Sequence, residues 1–136
     1  ERGIPVCGHV GLTPQSVHKL GGYKVQGKDD HAADQMIKEA LILEEAGADL
    51  MVVECVPSSL GDDLSAALNI PVIGIGAGPG TDGQVLVLQD MLGISQRLPK
   101  FSKDFLKESN SIQDAITAFG NEVRSGTFPA PEHSFK

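Results

Sequence analysis

The 136-residue chain carries 40% hydrophobic and 21% charged residues, enough apolar material for one domain with a core and too much for a disordered tail. Aromatics make up 4% with no Trp, so Val, Leu, Ile and Ala must fill that core. The net charge of −7 argues against nucleic acid or an anionic membrane surface as partner, and neither a run approaching the roughly 18 apolar residues of a membrane span nor a signal-peptide pattern occurs.

The chain opens on Glu1 and enters a strand pattern almost at once, as a piece cut from something longer would. Ile4-Pro5-Val6-Cys7 reads as a first strand ending at Gly8-His9-Val10-Gly11. Thr13-Pro14 is an N-cap followed by Pro at the first helical position, which predicts a brief helix over Gln15 to Lys19. Gly21 to Gly27 (GGYKVQG) is a glycine-bracketed loop whose Tyr23, Lys24 and Gln26 suit either a mobile lid or an ordinary exposed turn. Asp29-Asp30 opens a helix to about Ala46, with Ala33, Ile37, Ala40 and Leu41 forming one apolar stripe and Gly47 closing it.

Leu50 to Pro57 (LMVVECVP) is an apolar run of strand length that Pro57 stops, as expected of a strand in a parallel sheet. Ser58-Ser59 cap a second helix through about Leu68, with Leu60, Leu64, Ala67 and Leu68 facing inward. Ile70 to Gly76 is a third strand, and Gln84 to Leu88 a short fourth that runs into a helical turn at Gln89 to Leu92. A last helix occupies about Ser111 to Arg124, and Pro129 to Lys136 form a tail. Alternating strands and helices specify an α/β fold with a parallel sheet. The connection from Gly76 to Gln84 strains that pattern, because parallel crossovers usually need a dozen or more residues, so either the third crossover helix is missing or Val85 to Leu92 is itself helical.

Within this frame Glu54 is the anomaly. A bare carboxylate inside an apolar strand would cost several kcal/mol or stay protonated, but ligands gather at the carboxyl ends of strands in parallel α/β folds, and Glu54 lies at such an end. Side chains alternate, so Leu50, Val52 and Glu54 share one face and Met51, Val53 and Cys55 the other. A carboxylate with an apolar floor has the raised pKa that a general base near neutral pH requires. The plain alternative is a strand-end Glu paired with a Lys or a backbone donor.

His9 follows the first strand and could hydrogen-bond an anionic or carbonyl substrate at the same rim, although capping or core-satisfying histidines are commoner. His18, His31 and His133 fall in loop, helix-start and tail positions and carry no functional expectation. Cys7 and Cys55 read as free buried thiols of a reducing compartment. Cys7-Gly8-His9 lacks zinc spacing and a second ligand pair, and as a nucleophile Cys7 would lie too far inside the strand. Gly78 to Gly83 formally matches G-x-G-x-x-G after a strand, but an apolar β-type stretch comes next, where the dinucleotide fingerprint needs a helix.

Taken as an ordered set, Val6 to Gln15 (VCGHVGLTPQ), Gly21 to Gly27, Glu54 to Pro57 (ECVP), Ile70 to Gly78 (IPVIGIGAG), Asp82 to Val87 (DGQVLV) and Glu132 to Phe135 (EHSF) resemble the ketopantoate hydroxymethyltransferase family over nearly the whole chain. The resemblance implies a (β/α)8 barrel of the phosphoenolpyruvate mutase and isocitrate lyase type. It also implies transfer of a hydroxymethyl group from 5,10-methylenetetrahydrofolate to 3-methyl-2-oxobutanoate, giving 2-dehydropantoate in pantothenate synthesis, by a cytoplasmic, Mg²⁺-using homo-oligomer. The family's catalytic base falls on Glu54 and its substrate-contacting histidine on His9. Its G-D-S, D-L-P-F and K-x-E-G-G blocks, which carry the metal and substrate residues of an N-terminal half, do not occur. The chain is therefore expected to be one domain over 1–136, the C-terminal half of a barrel (about strands five to eight), with the Mg²⁺ ligands in the missing N-terminal half. Two rivals stand beside this reading: another Mg²⁺-dependent oxoacid lyase or aldolase of the same superfamily, and a non-catalytic half-barrel holding a phosphate or nucleotide at its glycine-rich rim.

Overall fold

A computed structural model describes residues 3–19 and 21–136; the expected single-domain span also includes residues 1, 2 and 20, which lie outside the described residues. Four strands, β1 (Cys7–Gly11), β2 (Leu50–Glu54), β3 (Val72–Ile75) and β4 (Gly83–Gln84), pair in parallel in the order β1-β2-β3-β4. That sequential order is the one a (β/α)8 barrel winds. A doubly wound sheet reverses direction at a switch point, and this sheet does not.

The helix α1 (Asp30–Glu45) starts where Asp29 accepts a hydrogen bond from the Ala32 amide at 2.9 Å. It lays Met36 and Ala40, flanked by Ala33, Ile37 and Leu43, on the sheet. Leu41, expected on that stripe, is instead exposed, because the buried arc is centred on Met36 and Ala40. Helix α2 (Ser58–Ala67) adds Leu60 and Leu64 to the same layer. Beneath both helices the completely buried Met51, Val53 and Val72 close the first apolar cluster.

Three elements beyond β4 flank the second cluster: the single helical turn α3 (Leu88–Met91), a 3-10 turn at Leu106–Glu108, and α4 (Ile112–Ser125). Ile75, Leu86, Met91, Leu92, Phe105, Ala115 and Phe128 form it. The Phe105, Phe119 and Phe128 rings meet edge-on at 5.4–5.8 Å between centroids.

Several expectations shift. The first strand begins at Cys7 rather than Ile4, since Pro5 has no amide to donate and the Val6 amide goes to the Asp49 carboxylate at 2.9 Å. His9 consequently lies in the middle of β1 rather than after it. Alternation puts Gly8 and Val10 on the helix side and leaves Cys7 and His9 on the open side. Cys7 is therefore exposed, whereas Cys55 is buried as expected. The brief helix after Thr13-Pro14 is a 3-10 turn over Pro14–Ser16.

The fourth strand is two residues long and gives way to α3, and β3 reaches it in parallel through only seven residues. Side chains replace the usual crossover helix there. The Asp82 carboxylate accepts from the Val72 amide at 2.8 Å, while Gln84 Nε2 donates to the Gly78 carbonyl at 3.0 Å and to Thr81 Oγ1 at 2.8 Å.

Candidate functional site

The last residue of β2 is Glu54, and its side chain emerges on the sheet face opposite α1 and α2, as the alternation requires. His9 is in register with Val52 on the neighbouring strand, which makes it the diagonal neighbour of Glu54 on that same face. Its Nε2 hydrogen-bonds Glu54 Oε2 at 3.1 Å. The two side chains are 33% and 12% exposed respectively. The pair is thus partly desolvated while still open to an entering molecule. Burial pushes the Glu54 carboxyl above its ordinary 4.5, against the pull of the adjacent imidazole, which lowers it.

Each backbone group around Glu54 is fixed by a neighbouring element. The Leu12 amide donates to the Glu54 carbonyl at 2.8 Å, which brings the turn after β1 against the end of β2. Gly11 makes this approach possible: its φ of +88° is open to glycine, and a Cβ there would collide with that same carbonyl. On the other side, the Cys55 and Val56 amides donate to the carbonyls of Ile75 and Gly76 at 2.9 and 3.1 Å.

Cys55 itself has φ +51°, a left-handed conformation that a side chain rarely adopts. Its thiol is pushed up to about 12, chiefly by burial and secondarily by the Glu54 charge. It is therefore no nucleophile. The Gln26 amide donates to the Cys55 carbonyl at 2.9 Å, so the 21–27 loop is tied to this turn at its far end while Tyr23 stays exposed.

The glycine run lacks the helix that a dinucleotide fingerprint requires. Gly83 opens β4 and no helix starts there. The glycines instead let backbones and side chains pack closely: a Cβ on Gly76 would strike the Phe101 ring, one on Gly78 the Ser58 side chain, and one on Gly80 the Asp62 carboxylate. A pocket of about 400 Å³ opens between β1 and α1, lined by Gly11, Thr13, Glu39, Ile42 and Leu43 and touched by His9, but Glu54 takes no part in it.

The fold thus brings together the two residues singled out separately in the sequence. It keeps Cys7 apart from that hydrogen bond and leaves His18 and His31 away from it. His133 belongs to the tail, where it accepts from the Ala130 amide and meets the Phe128 ring at a tilt of 48°, 5.2 Å between centroids. Sequence reasoning missed the strained Cys55 and the long-range contact of Ser58 with Phe135. A positive φ at a cysteine leaves no signal in the amino-acid order, and the contact spans 77 residues.

A carboxylate with a raised pKa, hydrogen-bonded to an imidazole on an open strand end, can abstract a proton next to a carbonyl at neutral pH. Among the described residues, no group of three or more His, Cys, Asp or Glu comes together to hold a metal ion, and no helix is long and apolar enough to cross a membrane.

The sequence profile of the family described as ketopantoate hydroxymethyltransferase matches residues 1–131. Among curated relatives, proteins named 3-methyl-2-oxobutanoate hydroxymethyltransferase are 59% identical in Alteromonas mediterranea and 60% identical in Idiomarina loihiensis, each over 136 residues and 99% of this chain. A third, from Marinobacter nauticus, is 59% identical over 137 residues. The alignments cover 51–52% of those relatives, so the chain spans about half the length of the curated relatives it matches.

Proposed function

The chain belongs to the ketopantoate hydroxymethyltransferase family, and from that premise we propose that it carries the proton-abstracting half of an enzyme making 2-dehydropantoate from 3-methyl-2-oxobutanoate and 5,10-methylenetetrahydrofolate. The reading places the protein in pantothenate synthesis, in the cytoplasm and in a homo-oligomer. It treats residues 1–136 as one domain, the C-terminal half of the barrel. The observation that carries it is the hydrogen bond between Glu54, at the end of β2, and His9, in the middle of β1, with Glu54 desolvated enough to hold its proton above the ordinary carboxylate range.

Glu54 takes the proton from C3 of the oxoacid: the C–H bond breaks, the proton goes to a carboxylate oxygen, and the electron pair passes into the enolate. C3 then bonds to the one-carbon unit, water supplies the hydroxyl oxygen, and tetrahydrofolate leaves. His9 orients the oxoacid and holds the Glu54 carboxylate on the side facing it. Glu54 has one ordered partner in the pair, which leaves its second oxygen, Oε1, to meet the C3 proton.

Mg²⁺, when bound, would polarise the keto oxygen and carboxylate of the oxoacid. The described residues do not assemble a site that fits it, since Glu54 and His9 are joined there by no third donor. In this reading the metal's ligands come from the part of the relatives' length that the chain does not match. The test is solvent exchange of the C3 proton in the full-length protein carrying this chain. Loss of exchange in Glu54→Gln supports the reading, and exchange at the wild-type rate in a folded Glu54→Gln protein overturns it.

A further inference from the structure

Helix α2 begins with an unusual deficit. Its N-cap is Pro57, which has no side-chain acceptor for the free amides of the first turn, and no side-chain cap bond forms there. The sequence pattern assigns that work to Ser58 and Ser59, but both lie inside the helix. The acceptor comes from the far end of the chain. The carbonyl of Phe135 takes hydrogen bonds from the Ser58 amide at 3.0 Å and from the Ser58 hydroxyl at 3.1 Å.

The tail is held in place to do this. Lys100 donates its ammonium to the Ser134 carbonyl at 2.5 Å and lies 5.1 Å from the centre of the Phe135 ring. Phe101 meets that ring edge-on at 6.3 Å and rests against Gly76, whose carbonyl receives the Val56 amide. Within the tail, Ser134 Oγ donates to the Ala130 carbonyl at 3.2 Å. The region read from the sequence as a tail is therefore a fastened strap.

What it fastens is the five-residue link Glu54-Cys55-Val56-Pro57-Ser58. The Glu54 carbonyl of that link is held by Leu12, the Cys55 amide and carbonyl by Ile75 and Gln26, the Val56 amide by Gly76, and the downstream end at Ser58 by Phe135. Cys55, at φ +51°, lies inside this set of contacts, with Phe135 closing the downstream side. A left-handed Cys returns to extended backbone unless both sides of it are pinned. That return would rotate the peptide that follows Glu54 and carry its carboxylate away from His9.

We propose that Phe135 is a positioning residue for Glu54: with Lys100, Phe101 and Ser58 it locks the turn after β2, so the C-terminal strap belongs to the working site rather than to a dispensable tail. The inference rests on the reading of Glu54 as the base. It calls for a ring at 135, because the ring is what Lys100 and Phe101 hold, and through it the carbonyl that caps α2.

The test uses the full-length protein with Phe135→Ala, the conservative Phe135→Tyr, and Lys100→Met. Two readouts are followed: titration of the Glu54 carboxyl by carbon NMR on selectively labelled protein, and C3-proton exchange at saturating oxoacid. Phe135→Ala and Lys100→Met should change the Glu54 titration midpoint and lower exchange at saturation about tenfold or more. The KM for the oxoacid should stay within about twofold, and Phe135→Tyr should restore both readouts. An unchanged titration and exchange in a folded Phe135→Ala protein overturns the proposal. If Phe135→Ala does not fold, Lys100→Met decides on the same criteria. If the wild-type protein exchanges no proton, the functional reading has failed, and the titration alone still decides whether the strap sets the surroundings of Glu54.

Discussion

The carbonyl oxygen of Glu54 occupies the space that a Cβ on Gly11 would need, and the next amide, that of Leu12, donates to it. The edge strand is thereby fitted to the candidate base by a backbone contact that any side chain at position 11 would break. Gly11→Ala would also force alanine to φ +88°. In the full-length protein this substitution should cost about 1–3 kcal/mol of stability, read as a lower midpoint in denaturant, and exchange should be lost with it. Wild-type stability in Gly11→Ala would mean that the two strand ends are free to separate.

Replacing Glu54 by Gln keeps size and polarity but removes the basic oxygen. Exchange of the C3 proton and overall turnover should fall together, by roughly 10²–10⁴-fold for a lost general base, while affinity for the oxoacid survives. His9→Ala should weaken oxoacid binding more than it slows exchange at saturation. A His9→Ala protein that binds normally but exchanges slowly would reverse the division of labour between the two residues.

The sign of the Glu54 shift sets a pH dependence. Its folded pKa is raised, so the native protein binds its proton more readily than the unfolded chain, and stability falls as pH rises from 4.5 through the raised value. Glu54→Gln should flatten that part of the stability curve and should not destabilise the protein at pH 8. The acid limb of the wild-type exchange rate should lie above the ordinary glutamate range, because exchange needs the deprotonated form. A limb at or below 4.5 would show that the group responsible is not this carboxyl.

His133 gives the opposite sign. Burial lowers its pKa from 6.5, against the opposing pull of Glu132, and its Nδ1 must be unprotonated to accept from the Ala130 amide. The unfolded chain therefore takes the proton first. The contribution of His133 is complete above 6.5 and lost as pH falls from 6.5 through the lowered value. Unfolding measured between pH 7.5 and 5 should show a decline that His133→Asn, which cannot titrate, lacks. Equal slopes in the two proteins would remove His133 from the account of the tail.

The 136-residue chain on its own should associate and show no turnover with Mg²⁺, oxoacid and methylenetetrahydrofolate. The outer edge of β1 has no partner strand among the described residues, and Ile4, Val6, Val85 and Val87 are exposed. Sedimentation and a turnover assay check this. A monomer working at an ordinary enzymatic rate would show that these surfaces need no cover.

Much of this architecture could be read from the chain because it rests on local chemistry. Asp29 and Gly47 bound α1, Ser111 caps α4 by accepting from the Asp114 amide, and the apolar alternation of β2 fixes which way Glu54 points. Where β1 begins was less legible, since Ile4-Pro5-Val6 is apolar enough for a strand and only the Asp49 carboxylate removes Val6 from the ladder. His9 and Glu54 were each legible as chemistry, but their contact depends on register between strands 45 residues apart. The Phe135 cap was beyond reach for the same reason: a serine after proline looks like an N-cap whether or not a distant carbonyl has already taken the role.

The division of the interior into two apolar clusters has a consequence for how the molecule loosens. Val72 belongs to the first and Ile75 to the second, so β3 is the seam between them. Clusters of this kind commonly open as separate cooperative units, detected by native-state amide hydrogen exchange. Met51 and Val53 tie the strand that ends in Glu54 to the first unit and Val52 packs against the second, which also secures the segment that leads to Phe135. A sub-global opening of the second would leave the β2 amides protected while releasing the turn beside the carboxylate. Protection of the core is then a poor gauge of competence: the chemistry should fade at an opening energy smaller than that of global unfolding.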